Sequence, residues 1–197
     1  SSNTALAPDQ IQTVRCDSTL ESTKELSKLH QDQLIAALTD LQNTLLKTKL
    51  TNNQKSLLTI NYQQIWDTVY LPQAQARNDQ VTVDWLEAIR HQLNALPAIP
   101  SSFVHHDLHI GNLALDTLGT YHRHEQLILL DWEYGGIGNA WFDAAALVRF
   151  LNIHSEIISN LPCFTHLSES CFQTGLKQAI KLSELINKLW YRARTPC

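Results

Sequence analysis

FVHHDLHIGN at positions 103–112 and LILLDWEYGGIGNAWFD at 127–143 are the stretches that decide how this chain folds. The first sets His105, Asp107 and Asn112 in the order H-x-D-x-x-x-x-N, and the second ends a short apolar run on Asp131. The step from Asp107 to Asn112 lets one tight loop present a carboxylate and an amide to the same space, with Gly111 easing the turn. Asp131 is expected to arrive on a strand that packs beneath this loop.

Outward from these stretches the apolar period changes. Phe103-Val104, 113–115 and 126–130 are short apolar runs around turn-like segments and read as small strands. Between them, 116–125 holds Gly119 and the polar run YHRHE, as expected of an exposed hairpin connection. On the amino-terminal side, residues 1–17 form a lead-in without a clear period. Ser18 and Glu21 have capping-box spacing, so a long helix is expected over 20–50. Its stripe is Leu34, Leu38, Leu41 and Leu45, with Leu26 and Leu29 before it. Further helices are expected over 55–71, stopping before Pro72, with Leu58, Tyr62, Ile65, Trp66 and Val69, and over 81–96, with Leu86, Ile89, Leu93 and Leu96. Helices resume at 140–152, 154–161 and 167–192. Residues 18–197 thus read as a single domain.

Composition narrows the function classes. The chain has 197 residues with 44% hydrophobic content, enough for a sizeable core. Lys and Arg number 15 against 19 acidic residues, for a net charge of -4, and no basic cluster occurs, so nucleic acid is a poor partner. No apolar run has the length of a membrane span and no secretion signal opens the chain, which leads to the expectation of a cytoplasmic protein. Four cysteines without C-x-x-C spacing suggest neither a zinc knuckle nor a disulfide framework. Methionine is absent, as expected of a segment of a longer chain.

The motif residues suit phosphoryl transfer, which asks a protein for positioning and charge neutralisation more than for covalent work. Asp107 would accept a hydrogen bond from an acceptor hydroxyl, orient it and take its proton late in the transfer. Asn112 and Asp131 supply an amide and a carboxylate oxygen, enough protein ligands for a magnesium ion that keeps several waters. His105 is expected to brace the loop through backbone hydrogen bonds.

HHDLHIGN and DWEYGGIGNAWFD resemble the H-x-D-L-x-x-x-N loop and the D-[FW]-E-Y segment with downstream F-D of the aminoglycoside phosphotransferase and choline kinase family, which includes bacterial thiamine kinases. LSKLHQ at 26–31 resembles the L-x-x-L-H helix after the hinge of such enzymes. The resemblance implies an α+β, mostly α fold: a protein-kinase-like carboxy-terminal lobe, its helices around a small β-hairpin catalytic segment. It implies ATP and magnesium as cofactors and a small-molecule acceptor as partner. It also puts Asp143 on the helix beneath the catalytic loop, anchoring its backbone, and Trp132, Glu133 and Tyr134 where the substrate cleft opens. For a quaternary amine such as choline, the faces of Trp132, Tyr134 or Trp141 would stabilise the cation, although Trp141 and Phe142 favour core packing.

The family's amino-terminal lobe carries a phosphate-covering loop and a lysine on a strand. No glycine precedes Gly111 and no such strand is visible, so the lobe is expected to be absent and the chain to have low or no activity by itself. Two other readings compete. One is a metal-dependent hydrolase built on His105, His106 and His109, with His122 and His124 following, although the spacing matches neither H-x-H-x-D-H nor H-E-x-x-H. The other is a non-catalytic kinase-like module that binds a partner.

Overall fold

The computed structural model describes residues 26–116 and 126–194. The capping pair Ser18 and Glu21, the connection at 117–125 and residues 195–197 lie outside the described residues. The first described helix, α1 (Lys28–Lys47), starts where the Ser27 hydroxyl accepts from His30 N, satisfying one of the free N–H groups of a helix start. Leu34 and Leu38 are fully buried, and the same stripe continues to Gln42, whose Oε1 accepts from Cys163 N at 3.2 Å. Leu29, expected in that stripe, is 57% exposed, because five residues of helix rotate it about 140° away from Leu34.

The helix expected over 55–71 is broken. Helix α2 (Asn52–Leu58) is closed at its start by a capping box of Thr51 and Gln54. The chain then runs extended at Thr59 and Ile60, where Ile60 N donates to Ile137 O at 2.9 Å. Helix α3 (Tyr62–Ile65) passes through a π turn, Trp66–Tyr70, into α4 (Leu71–Ala76). Pro72 does not stop it: the helical run continues through the π turn, and Pro72 falls in the first turn of α4. Tyr62, Trp66, Tyr70 and Ala74 recur every four residues; the wider π turn keeps that spacing on one face, where a 3.6-residue period would drift. Leu58, Ile65 and Val69 point outward. Helix α5 (Gln80–Ala95) matches its expected span, burying Thr82, Leu86 and Ile89.

The β segment is two antiparallel ribbons rather than one hairpin. β2 (Leu113–Asp116) pairs with β3 (Gln126–Leu129), in the register Leu113 opposite Leu129. β1 (Ser102–Val104) pairs with β4 (Gly136–Gly138), Phe103 opposite Ile137. β4 was not expected, because GGIG reads as a loop until its partner is known. Leu127 N donates to Gln33 Oε1 at 2.9 Å, tying β3 to α1.

Helices α6 (Trp141–Leu151), α7 (Ser155–Ile158) and α8 (Glu169–Arg194) complete the described chain. α6 ends on Asn152 in the left-handed region, a conformation asparagine tolerates. Trp141 is completely buried, donates from Nε1 to Pro97 O at 2.9 Å, and packs on Phe164 and Phe172. Its ring requires Gly175 on α8, where an added Cβ would lie 2.6 Å from the indole. Trp141 is therefore a core residue and offers no face to a cationic ligand. Among the described residues no helix is long and apolar enough to cross a membrane.

Candidate active site

The loop between β1 and β2 is built around Asp143 on the first turn of α6. Asp143 is 4% exposed, and its two oxygens accept from His105 N and His106 N, both at 2.8 Å. Two successive N–H groups converging on one carboxylate force a sharp turn, and His106 takes φ 66° to make it. Left-handed backbone at a non-glycine residue carries strain and needs such support.

The two histidines are held in opposite tautomers. His105 is completely buried; its Nε2 lies 2.7 Å from Leu130 O and must donate, which leaves Nδ1 to accept from Asp107 N at 3.3 Å. The imidazole thereby links the end of β3 to the backbone of Asp107, and the indole of Trp132 covers it at 4.6 Å between centroids. His106 Nδ1 faces Tyr134 O at 3.2 Å and must donate there, leaving Nε2 to accept from the Tyr62 hydroxyl at 2.7 Å. Burial holds the His106 pKa below its ordinary value, against the opposing field of Asp143, and so favours the neutral ring.

Asp107 is half-buried and Asn112 is 7% exposed. Asn112 Nδ2 donates to Asp107 O at 2.8 Å and to Asp107 Oδ2 at 3.0 Å, closing the loop on itself. That orientation commits the amide nitrogen to the loop and leaves the amide oxygen for another partner. A 3₁₀ turn, Ile110–Asn112, carries Asn112 to the start of β2, with His109 Nδ1 accepting from Gly111 N at 3.0 Å. His109 Nε2 lies 3.7 Å from Asp107 Oδ2.

Asp131 reaches the same edge by a different route. β3 stops at Leu129, Leu130 N donates to Asn112 O at 2.9 Å, and Asp131 then leaves the ribbon at φ 56°. The strand thus ends two residues before Asp131, and the Leu130 bond ties the residue before Asp131 to Asn112. Asp131, Trp132, Glu133 and Tyr134 are all exposed, Trp132 at 42% and Tyr134 at 47%. Gly135 N turns back to Trp132 O at 3.0 Å. Asp107 and Asn112, bonded to each other, and the exposed run 131–134, tied to them through Leu130, make up the candidate rim, while His105 and Asp143 are buried.

Among the described residues no group of three or more His, Cys, Asp or Glu side chains is placed to hold a metal ion. His105, His106 and His109 each engage different partners, and His122 and His124 lie outside the described residues. A cavity of about 350 Å³ opens beside Tyr62, lined by Asn61, Trp66, Arg90 and Asn94 among others, and includes none of Asp107, Asn112 or Asp131. Tyr62 is the site-adjacent residue that motif reading missed: in sequence it is one more aromatic in a helical stripe.

The model of the phosphotransferase enzyme family, APH, matches residues 18–157, and the chain belongs to this family. The matched span contains both ribbons, the 105–112 loop and α6. Among solved structures, spectinomycin phosphotransferase APH(9)-Ia in complex with ADP and spectinomycin is similar over 87% of this chain, with 11% sequence identity and a TM-score of 0.48. The chain spans 55% of the length of that protein. No curated protein matches the chain.

Proposed function

We propose that this chain provides the acceptor- and metal-binding part of an ATP- and magnesium-dependent phosphotransferase, acting on a hydroxyl of a small cationic molecule of the choline, thiamine or aminoglycoside kind. What supports this reading is the bonding that links the segments carrying these residues, Asn112 Nδ2 to Asp107 and Leu130 N, one residue before Asp131, to Asn112 O. Asp107 is the base: it accepts the acceptor's O–H, orients the oxygen toward the phosphorus and receives the proton late. The Asn112 amide oxygen and the Asp131 carboxylate fit magnesium, a hard cation that takes oxygen ligands and retains water. Bound there with a nucleotide, magnesium neutralises charge on the phosphates.

A cationic acceptor is favoured by the rim itself. Asp107 is half-buried, Asp131 and Glu133 are exposed, Trp132 and Tyr134 are exposed aromatic residues, and neither 103–112 nor 127–143 contains a lysine or arginine. His105 and Asp143 act beneath, holding the loop so that Asp107 meets the acceptor without reorganising.

Two measurements test this. Manganese with ADP, followed by electron paramagnetic resonance, reads the metal site without an acceptor: binding is expected, and it is expected to be lost in Asp131→Asn. Magnesium-ATP turnover with choline, ethanolamine, thiamine and aminoglycosides reads the chemistry, and any activity should disappear in Asp107→Asn. Metal-nucleotide binding that survives Asp131→Asn, or no such binding at all, would overturn the assignment.

A further inference from the structure

We infer that Tyr62, on α3 and outside both motifs, is a positioning residue that holds the catalytic loop and the 132–134 turn in fixed relation through His106. The hydrogen bonds form one directed chain. Asn139 N donates to the Tyr62 oxygen at 2.8 Å, the Tyr62 hydroxyl donates to His106 Nε2 at 2.7 Å, and His106 Nδ1–H donates to Tyr134 O at 3.2 Å. Each polar atom has one compatible role: the amide can only donate, the carbonyl can only accept, and the phenol and imidazole between them have a single consistent orientation. Burial raises the Tyr62 pKa well above its ordinary value, so its proton stays in place.

The surrounding packing is shaped to this chain. His106 meets the Tyr62 ring edge-on at 5.4 Å, and Phe142 lies 5.1 Å from Tyr62. A Cβ on Gly138 would come within 2.5 Å of the Tyr62 oxygen and 2.9 Å of the His106 ring, so strand β4 leaves room for the contact. His106 immediately precedes Asp107 and carries left-handed backbone, while Tyr134 closes the rim beside Asp131. Tyr62 therefore bridges the helical segment, 44 residues earlier than His106, to both sides of the proposed reaction centre. Its kinetic consequence rests on the phosphotransferase reading; its structural consequence does not.

The experiment pairs nitrogen-15 NMR of the imidazoles with a double-mutant cycle on the 197-residue chain. In the wild type, His106 should show the Nδ1–H tautomer with a hydrogen-bonded Nε2; in Tyr62→Phe, which keeps the ring packing, the Nε2 resonance should move toward that of an unbonded nitrogen. In phosphoryl transfer, Tyr62→Phe and His106→Asn should each lower kcat on the order of tenfold with little change in the nucleotide KM. The double variant should be no worse than the poorer single one. A wild-type His106 carrying its proton on Nε2, an Nε2 resonance indifferent to Tyr62→Phe, or losses that multiply would each overturn the inference. The kinase reading stands or falls on metal-nucleotide binding; should the chain by itself lack turnover, the tautomer still decides for or against Tyr62.

Discussion

Replacing Asp143 by alanine removes both acceptors of the 105–106 backbone at once. The carboxylate oxygens receive His105 N and His106 N at 2.8 Å each, and with Asp143 4% exposed and His105 completely buried, water has little access to replace them. A hydrogen bond to a charged group contributes about 1.5–3 kcal/mol, so the pair amounts to about 3–6 kcal/mol. Relief of the carboxylate's own desolvation offsets part of that. A net loss of about 3 kcal/mol is expected, or a fall in Tm of about 10 °C for a chain of this size. Asp143→Asn should cost nearly as much, since its amide offers one acceptor and turns an NH₂ group toward the second N–H. Urea denaturation followed by tryptophan fluorescence measures both variants. Destabilisation by Asp143→Ala of less than about 1 kcal/mol would refute the reasoning, because the turn at His106, φ 66°, would then need no carboxylate to hold it.

Two further outcomes follow from groups remote from the rim. Asp79 caps α5 through Thr82 and takes a two-pronged contact from Arg192, Nε at 2.6 Å and Nη2 at 2.8 Å. The Arg192 guanidinium, with the Thr82 hydroxyl, holds the Asp79 carboxyl well below its ordinary 3.8. Since the folded state binds this proton less readily than the unfolded chain, the contribution is complete above that value and is lost as pH falls below it. The stability difference between wild type and Asp79→Asn should accordingly be constant near neutrality and narrow below about pH 4 in urea titrations at stepped pH; an undiminished difference in acid would contradict it. Cys163 is 3% exposed, and burial pushes its thiol up to about 12. Iodoacetamide at mildly alkaline pH should leave Cys163 unmodified in the native chain and alkylate it in urea, as read by peptide mass mapping; rapid native labelling would show that the thiol is not enclosed in the core.

Local periodicity determined much of the helical frame. Thr82, Leu86, Ile89 and Leu93 repeat along one face, and α5 accordingly lies within a residue of its expected span. The 105–112 loop was legible for a similar reason: Asp107 and Asn112 are close in sequence, and their contacts are made within that loop. Where helix starts depended on one side chain, the outcome was less secure. Ser27, which the capping-box reading did not single out, caps the first described helix, since any serine ahead of an apolar stripe offers the same hydroxyl.

What the tertiary structure alone decided involves partners far apart in the chain. The break at Thr59 and Ile60 exists because Ile60 bonds Ile137, and GGIG becomes a strand because Phe103 lies opposite it. Asp143 serves His105 and His106 from 38 and 37 residues away. Tyr62 reaches His106 across 44, a contact no period or motif encodes. Sequence by itself determined which carboxylates and amides are available and how closely the loop sets them. The direction each one faces was decided by tertiary structure, because a buried N–H or imidazole must find its acceptor wherever packing brings one.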